Sequence, residues 1–390
     1  MKKVIFISAL AIAAAVSCNK SEIVDTKFNE QISFESYIGR DAMTKASVID
    51  ASNVGTVAVY GYYTGASQWN GGMTANLWNP LTLTVATDGV GSIPEGQEKY
   101  WTNANDNYTF IAYAPIDELF TPSTSENGPV VSYTVPVEIP SQKDLLYGAR
   151  VNMQKETPVQ LALSHALSRI TVKVSENADE FDYTVYGVKI SGNFPRTNTL
   201  TLNGGVWGTP SATETAAYEI KTYETENVGT ADAPVLKPIN GIPVPTPVAA
   251  SEGVTEVKAY DFASRTVTEN ETTTTKVDNY LMVIPTPGEE TAKTDLTLEV
   301  VYTTTFDNKE STPMTKTLPI SVDFNKGYAY SFDLVFAPNT DNVISFKVTV
   351  DPWVDADPVL TTGENGNDNP ENWNKETQNG GENGDENTEA

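Results

Sequence analysis

An all-β fold is what the sequence predicts, and three observations predict it. Apolar residues alternate with period 2 along run after run, clusters of Asn, Gly and Pro separate the runs, and nothing past residue 18 offers a three-turn amphipathic helix. Leu296, Leu298, Val300 and Tyr302 share one face, as do Leu318, Ile320, Val322 and Phe324. Tyr328, Tyr330, Phe332, Leu334 and Phe336 repeat the pattern, and Ile344, Phe346, Val348 and Val350 repeat it again. At 390 residues the chain exceeds what one core usually holds, so two domains are expected. The polar, turn-rich stretch from Tyr147 to Pro158 marks a boundary, giving β-sandwich domains over 31–157 and 158–358. Beyond that boundary the alternation changes phase. Val159, Leu161, Leu163 and Leu167 are odd-numbered, whereas Ile170, Val172 and Val174 are even, which predicts a bulge or break near Ser168-Arg169.

Residues 1–17 have the form of a secretory signal. Lys2 and Lys3 form its charged start, and Val4 to Val16 is an apolar run too short to span a bilayer comfortably. The run closes as Ala15-Val16-Ser17 before Cys18, which resembles a bacterial lipobox with Ala15 where Leu is commoner. The resemblance implies cleavage between Ser17 and Cys18 and acylation of Cys18, the single cysteine of the chain. Several acyl chains give stable anchoring, at about 0.8 kcal/mol per buried methylene. Residues 18–30 are polar and read as a tether.

Three stretches read as lacking a core role. Pro234 to Pro247 holds five prolines and Thr266 to Thr275 six threonines, and both read as surface loops. Residues 359–390 read as a disordered acidic tail. Its last 30 residues carry eight acidic groups against one Lys and almost no aliphatic side chains, too little to offset ordering entropy. A net charge of −26, from 25 basic and 51 acidic residues, argues against nucleic acid as a partner. One Cys and one His exclude disulfide frameworks and Cys/His zinc sites.

Several segments, in order, resemble the fimbrillin-like family, the type V pilins of Gram-negative cell surfaces. They are Val57-Ala58-Val59-Tyr60-Gly61-Tyr62-Tyr63, Tyr100-Trp101, and Tyr108-Thr109-Phe110-Ile111-Ala112-Tyr113-Ala114-Pro115. After these come Asp144-Leu145-Leu146-Tyr147 and His165-Ala166-Leu167-Ser168-Arg169-Ile170-Thr171-Val172. Phe324-Asn325-Lys326-Gly327-Tyr328-Ala329-Tyr330 and a terminal strand to Trp353 complete the set. The resemblance implies two tandem transthyretin-like β-sandwiches, exported as an outer-membrane lipoprotein with other fimbrillin-like subunits as partners. It also implies removal of the first strand by a trypsin-like protease, and filling of the vacated groove by a neighbour's strand. The first strand would be Gln31 to Ile38, with Ile32, Phe34 and Ile38 facing the core. Lys45-Ala46 falls where the family commonly has Arg-Ala, and Arg40 is the other candidate for cleavage. The candidate donor strand presents Ile344, Phe346, Val348 and Val350, either to its own domain or to a neighbour. The polar tail beyond it favours an accessory, tip or anchor subunit over a stalk pilin, with adhesion to host or bacterial surface ligands as its role.

No residue set points to catalysis, a cofactor or a metal. His165 lies in an apolar run and reads as a packed, hydrogen-bonded core residue, without a Gly-x-Ser-x-Gly elbow to serve as base. The alternative function is a monomeric surface lipoprotein that binds glycan through exposed tryptophans. Trp69 and Trp78, in a Gly/Asn-rich segment, are the candidates, with packing as their other use.

Overall fold

A computed structural model describes residues 30–353 apart from 39–54, 87, 178–180, 210–213, 246–247, 250–254, 257–258, 270–271, 278–279, 286–293 and 338–343. Ser17, Cys18, Arg40, Lys45, Ala46 and the tail at 359–390 lie outside the described residues. The first strands are β1 (Phe34–Ile38), β2 (Thr56–Gly65), β3 (Trp78–Val85), β4 (Val90–Ser92), β5 (Asn107–Ala114), β6 (Phe120–Ser125) and β7 (Gly128–Thr134). A 3-10 turn at Ile139–Ser141 precedes β8 (Leu146–Met153), β9 (Val159–His165), β10 (Ser168–Glu176), β11 (Asp182–Phe194), β12 (Thr197–Thr201), β13 (Val206–Trp207) and β14 (Glu214–Lys221). Short strands follow: β15 (Glu224–Asn227), β16 (Leu236–Ile239), β17 (Ile242–Pro243), β18 (Val248–Ala249), β19 (Thr255–Glu256), β20 (Tyr260–Asp261), β21 (Ser264–Glu269), β22 (Thr272–Val277) and β23 (Leu281–Val283). The last are β24 (Thr294–Phe306), β25 (Lys309–Glu310), β26 (Met314–Val322), β27 (Tyr328–Phe336) and β28 (Ile344–Pro352). The chain is all-β, as the alternation predicts.

Seven strands close a barrel in the order β1-β4-β3-β2-β5-β8-β9, with β9 returning to β1 in parallel. Its interior is filled by Val57 and Val59 of β2, Leu81 and Leu83 of β3, Phe110 and Ala112 of β5, and Val159, Leu161 and Leu163 of β9. The four-stranded sheet β13-β12-β7-β6 lies over a second core built on the outside of that barrel. Ala58, Tyr60 and Tyr62 of β2, with Ile111 and Tyr113 of β5, meet Val131, Tyr133 and Leu200 there. This explains why the runs at 57–63 and 108–114 are apolar almost without interruption: β2 and β5 are buried on both faces. The same burial takes water from the tyrosines, pushing the Tyr60 and Tyr62 hydroxyls up to about 12. Gly61 is required where the Trp78 indole crosses β2, since a Cβ there would lie 2.7 Å from the ring.

The remaining long strands form a two-sheet sandwich. One sheet runs β20-β10-β27-β28 with β23 beside β10, and the other runs β14-β11-β24-β25 with β26 on β24 and β17 on β11. Ile170, Val172 and Val174 of β10 face Val185, Val188 and Ile190 of β11 and Leu296, Leu298 and Val300 of β24 across a shared core. The predicted break is real. It falls at Ala166-Leu167, between β9 and β10, where the chain leaves the barrel and enters the sandwich, so odd-numbered inward residues give way to even-numbered ones.

Three expectations need correction here. The boundary drawn at residue 157 falls inside the barrel, because β9 completes it and β12 pairs with β7, giving strands beyond 158 to the first half's sheets. The Thr-rich stretch is the hairpin β21–β22 instead of a loop, in keeping with the pleated-sheet preference of β-branched Thr. The proline-rich stretch likewise contributes β16, paired with β15, and β17, paired with β11.

One buried polar side chain ties the segment after β7 to the sandwich. Gln142 is fully buried; its Nε2 donates to Pro136 O at 3.0 Å, and its Oε1 accepts from the Met282 amide of β23 at 2.7 Å. Gln142→Leu orphans both backbone groups, so urea denaturation is expected to show a loss of about 1–3 kcal/mol. An unchanged midpoint would show that the bridge contributes nothing.

Candidate assembly interface

The residues preceding β1 and the strand itself are seated by backbone first. Ile32 N donates to Lys99 O at 2.8 Å, Trp101 N to Glu30 O at 3.0 Å, and Val159 N to Ser33 O at 2.8 Å. From Phe34 to Ile38 the strand runs parallel to β9, from Val159 to Leu163, and its other edge meets β4 at Gly91 and Val90. Ile32 and Phe34 are fully buried in the barrel, and the Phe34 ring sits edge-on to Phe110 at 5.3 Å and to Trp78 at 5.8 Å. Each such side chain contributes about 1.5–3 kcal/mol by leaving water. Ser36, the next inward position, is buried with its Oγ lacking a hydrogen-bond partner. That is a fault of about 1–3 kcal/mol in the strand's fit. Outside the barrel, Lys155 clamps Glu30, and its hydrogen bond, followed by that of Thr157, holds the Glu30 carboxyl below its ordinary value.

The last strand, β28, pairs antiparallel with β27 along its whole length, from Phe336 opposite Ile344 to Tyr328 opposite Pro352. It is an edge strand, with β27 as its neighbour in the sheet. The expected burial of all four alternate residues holds only at its start. Ile344 is buried, Phe346 and Val348 are half-buried against the sandwich core, and Val350 is 48% exposed. An edge strand has a neighbour on one side only, so its apolar face is incompletely covered.

What holds its far end is an aromatic clasp. Trp353, buried, donates its amide to Gly327 O at 2.7 Å and stacks on the His165 ring at 4.0 Å with the planes 4° apart. His165 Nδ1 is hydrogen-bonded to Asp144 Oδ2 at 2.8 Å, and both residues are buried. The Arg169 guanidinium lies 5.1 Å from the Trp353 ring and 4.6 Å from that of Tyr280. His165 is thus a packed, hydrogen-bonded residue, and the segments Asp144–Tyr147, His165–Val172 and Phe324–Tyr330 converge on one joint. Asp144 and Trp353 carry no signal of that partnership beyond lying in those segments.

Trp69 and Trp78 are not exposed, which corrects their assignment as glycan contacts. They are 7% and 6% exposed; Trp69 packs on Tyr62 at 5.3 Å, and Trp78 donates its Nε1 to Gln97 O at 2.8 Å. Both large rings fill core volume that the flanking Gly and Asn residues cannot.

A sequence model of the fimbrillin-like family matches residues 44–353. The chain belongs to the fimbrillin-like family. Among solved structures, this fimbrillin-like chain is similar to a candidate cell adhesion protein of Bacteroides uniformis, at 16% identity and a TM-score of 0.45, covering 83% of this chain and 98% of that one. A candidate cell adhesion protein of Bacteroides ovatus matches at 12% identity and a TM-score of 0.43, covering 84% and 99%. One from Parabacteroides distasonis matches at 10% identity and a TM-score of 0.42, covering 85% and 99%. No curated protein matches significantly in sequence. No helix among the described residues is long and apolar enough to cross a membrane.

If the clasp holds β28, Trp353→Ala will speed hydrogen exchange across Ile344–Pro352 by at least about tenfold while β2 and β5 stay protected. Equal protection in the variant would place the hold on β28 elsewhere.

Proposed function

We propose that this chain is a lipid-anchored surface subunit that joins other fimbrillin-like subunits by strand exchange at the β1 position. The observation that carries the reading is the seating of β1. It closes the barrel between β4 and β9 with two well-packed side chains and one buried hydroxyl that lacks a partner. A strand with an apolar residue at the Ser36 position spares that buried hydroxyl, which favours exchange once the covalent link is cut. The family match begins at residue 44, after β1 and next to Lys45, which supports Lys45-Ala46 as the cut, with Arg40 as the other candidate. Acylated Cys18 anchors the chain in the outer membrane before that cut.

The accessory, tip or anchor role is favoured over that of a stalk pilin. Donating β28 requires breaking nine residues of pairing with β27 and exposing the Trp353 ring, now stacked on His165. A subunit that keeps its last strand accepts a neighbour without donating in turn, so it ends a polymer.

Intact mass and gel migration of the protein shaved from native cells test this reading. A chain beginning at Ala46 or Asp41, running in heat-labile multimers, is the expected result. A monomer that still carries acylated Cys18 would overturn exchange at β1.

A further inference from the structure

The outer face of the sheet β20-β10-β27-β28 carries a cleft of about 460 Å³, within the usual range for small-molecule sites. Its shape follows from register. Arg169, Ala329 and Asp351 lie side by side across β10, β27 and β28, and the methyl group of Ala329 leaves a depression between the two charged residues. The next outward row brings Thr171 beside Ser331, and the row beyond it brings Lys173 beside Asp261.

Arg169 is the unusual member. Its guanidinium lies against the rings of Tyr280 and Trp353, which fix its plane, and its Nη1 is buried without a hydrogen-bond partner. Among the described residues no carboxylate lies within ion-pair distance of Arg169 or of Lys173. This preoriented guanidinium, without a counter-ion among the described residues, has the planar donor geometry that a ligand carboxylate matches. The rest of the lining sets the ligand's character. The Thr171 hydroxyl donates to Asp261 Oδ1 at 2.5 Å and the Ser331 hydroxyl to Asp333 Oδ1 at 2.7 Å, so toward the cleft both act as acceptors beside the Asp351 carboxylate, the acceptors that sugar hydroxyls donate to. Four positions along β10 separate Arg169 from Lys173 by about 13 Å, so an elongated ligand spans them and a small free anion does not. The surrounding negative charge repels dense polyanions and tolerates a ligand with isolated charges.

We propose that this cleft binds a carboxylated oligosaccharide, its acid group on Arg169 and its hydroxyls on Ser331, Thr171 and Asp351. The proposal takes its biological setting from the surface-subunit reading, but the binding stands apart from assembly. Calorimetry on the full chain therefore tests one without the other. The probes are 3′-sialyllactose and trigalacturonic acid, which separate sialylated from uronate sources, with the methyl esters of both as uncharged controls. At least one acid probe is expected to bind, with its uncharged control about tenfold weaker or worse. Arg169→Gln should weaken that binding by about tenfold, and Ser331→Ala, on the sheet's outer face, by several-fold. Absence of binding by both acid probes would overturn the proposal. So would equal binding of the methyl ester, or affinity unchanged in both variants.

Discussion

The barrel closes through β1, a five-residue strand inserted between β4 and β9, and the rest of the first half depends on that closure. Without β1, the backbone edge of β9 from Val159 to Leu163 loses its parallel partner, and the space held by Ile32 and Phe34 opens beside Phe110 and Trp78. An open apolar groove flanked by unpaired strand edges is a template for another strand. The strand that closes the fold is thus also the one whose removal would make the fold reactive. Its hold is the pairing with β9 and β4, the bonds from Glu30 to Ser33, two buried side chains and the Lys155 clamp.

Two of the ties between the barrel and the layers around it use different physics. β2 and β5 carry one core on each face, so the barrel interior and the layer beneath β13-β12-β7-β6 share a rigid wall. The second coupling is the joint at His165, where Asp144 holds the imidazole, the imidazole holds Trp353, and Trp353 fixes the end of β28. Neither coupling uses a residue of β1, so a subunit that lost the strand would keep both.

Much of this was legible in the sequence because alternation reports burial directly. The runs at 296–302, 318–322 and 330–336 lie in β24, β26 and β27 with the predicted faces inward, while Tyr328 at the start of β27 is 41% exposed; the phase change at 167–170 marked the passage between two cores. Periodicity reports which residues are buried but not on which partner, and there the reading fell short. It set the domain boundary by loop composition at 157, although β9 returns to the barrel. It counted Val350 as inward because the pattern continues, although edge position leaves that residue exposed. Trp69 and Trp78 were judged by flexible-looking neighbours, yet rings of that size packed into the cores. The His165–Trp353 stack joins residues 188 positions apart, a distance over which local pattern carries no information.

The central claim is that β1 is a replaceable part of the barrel. It is tested most directly by cutting the purified chain after Lys45, separating off the N-terminal piece, and titrating the remainder with a labelled peptide of residues 30–38. The account predicts a folded remainder that captures the peptide, with capture abolished when Phe34 of the peptide is replaced by Asp and absent in the uncut chain. A remainder that unfolds on losing the strand, or that ignores the peptide, would contradict it.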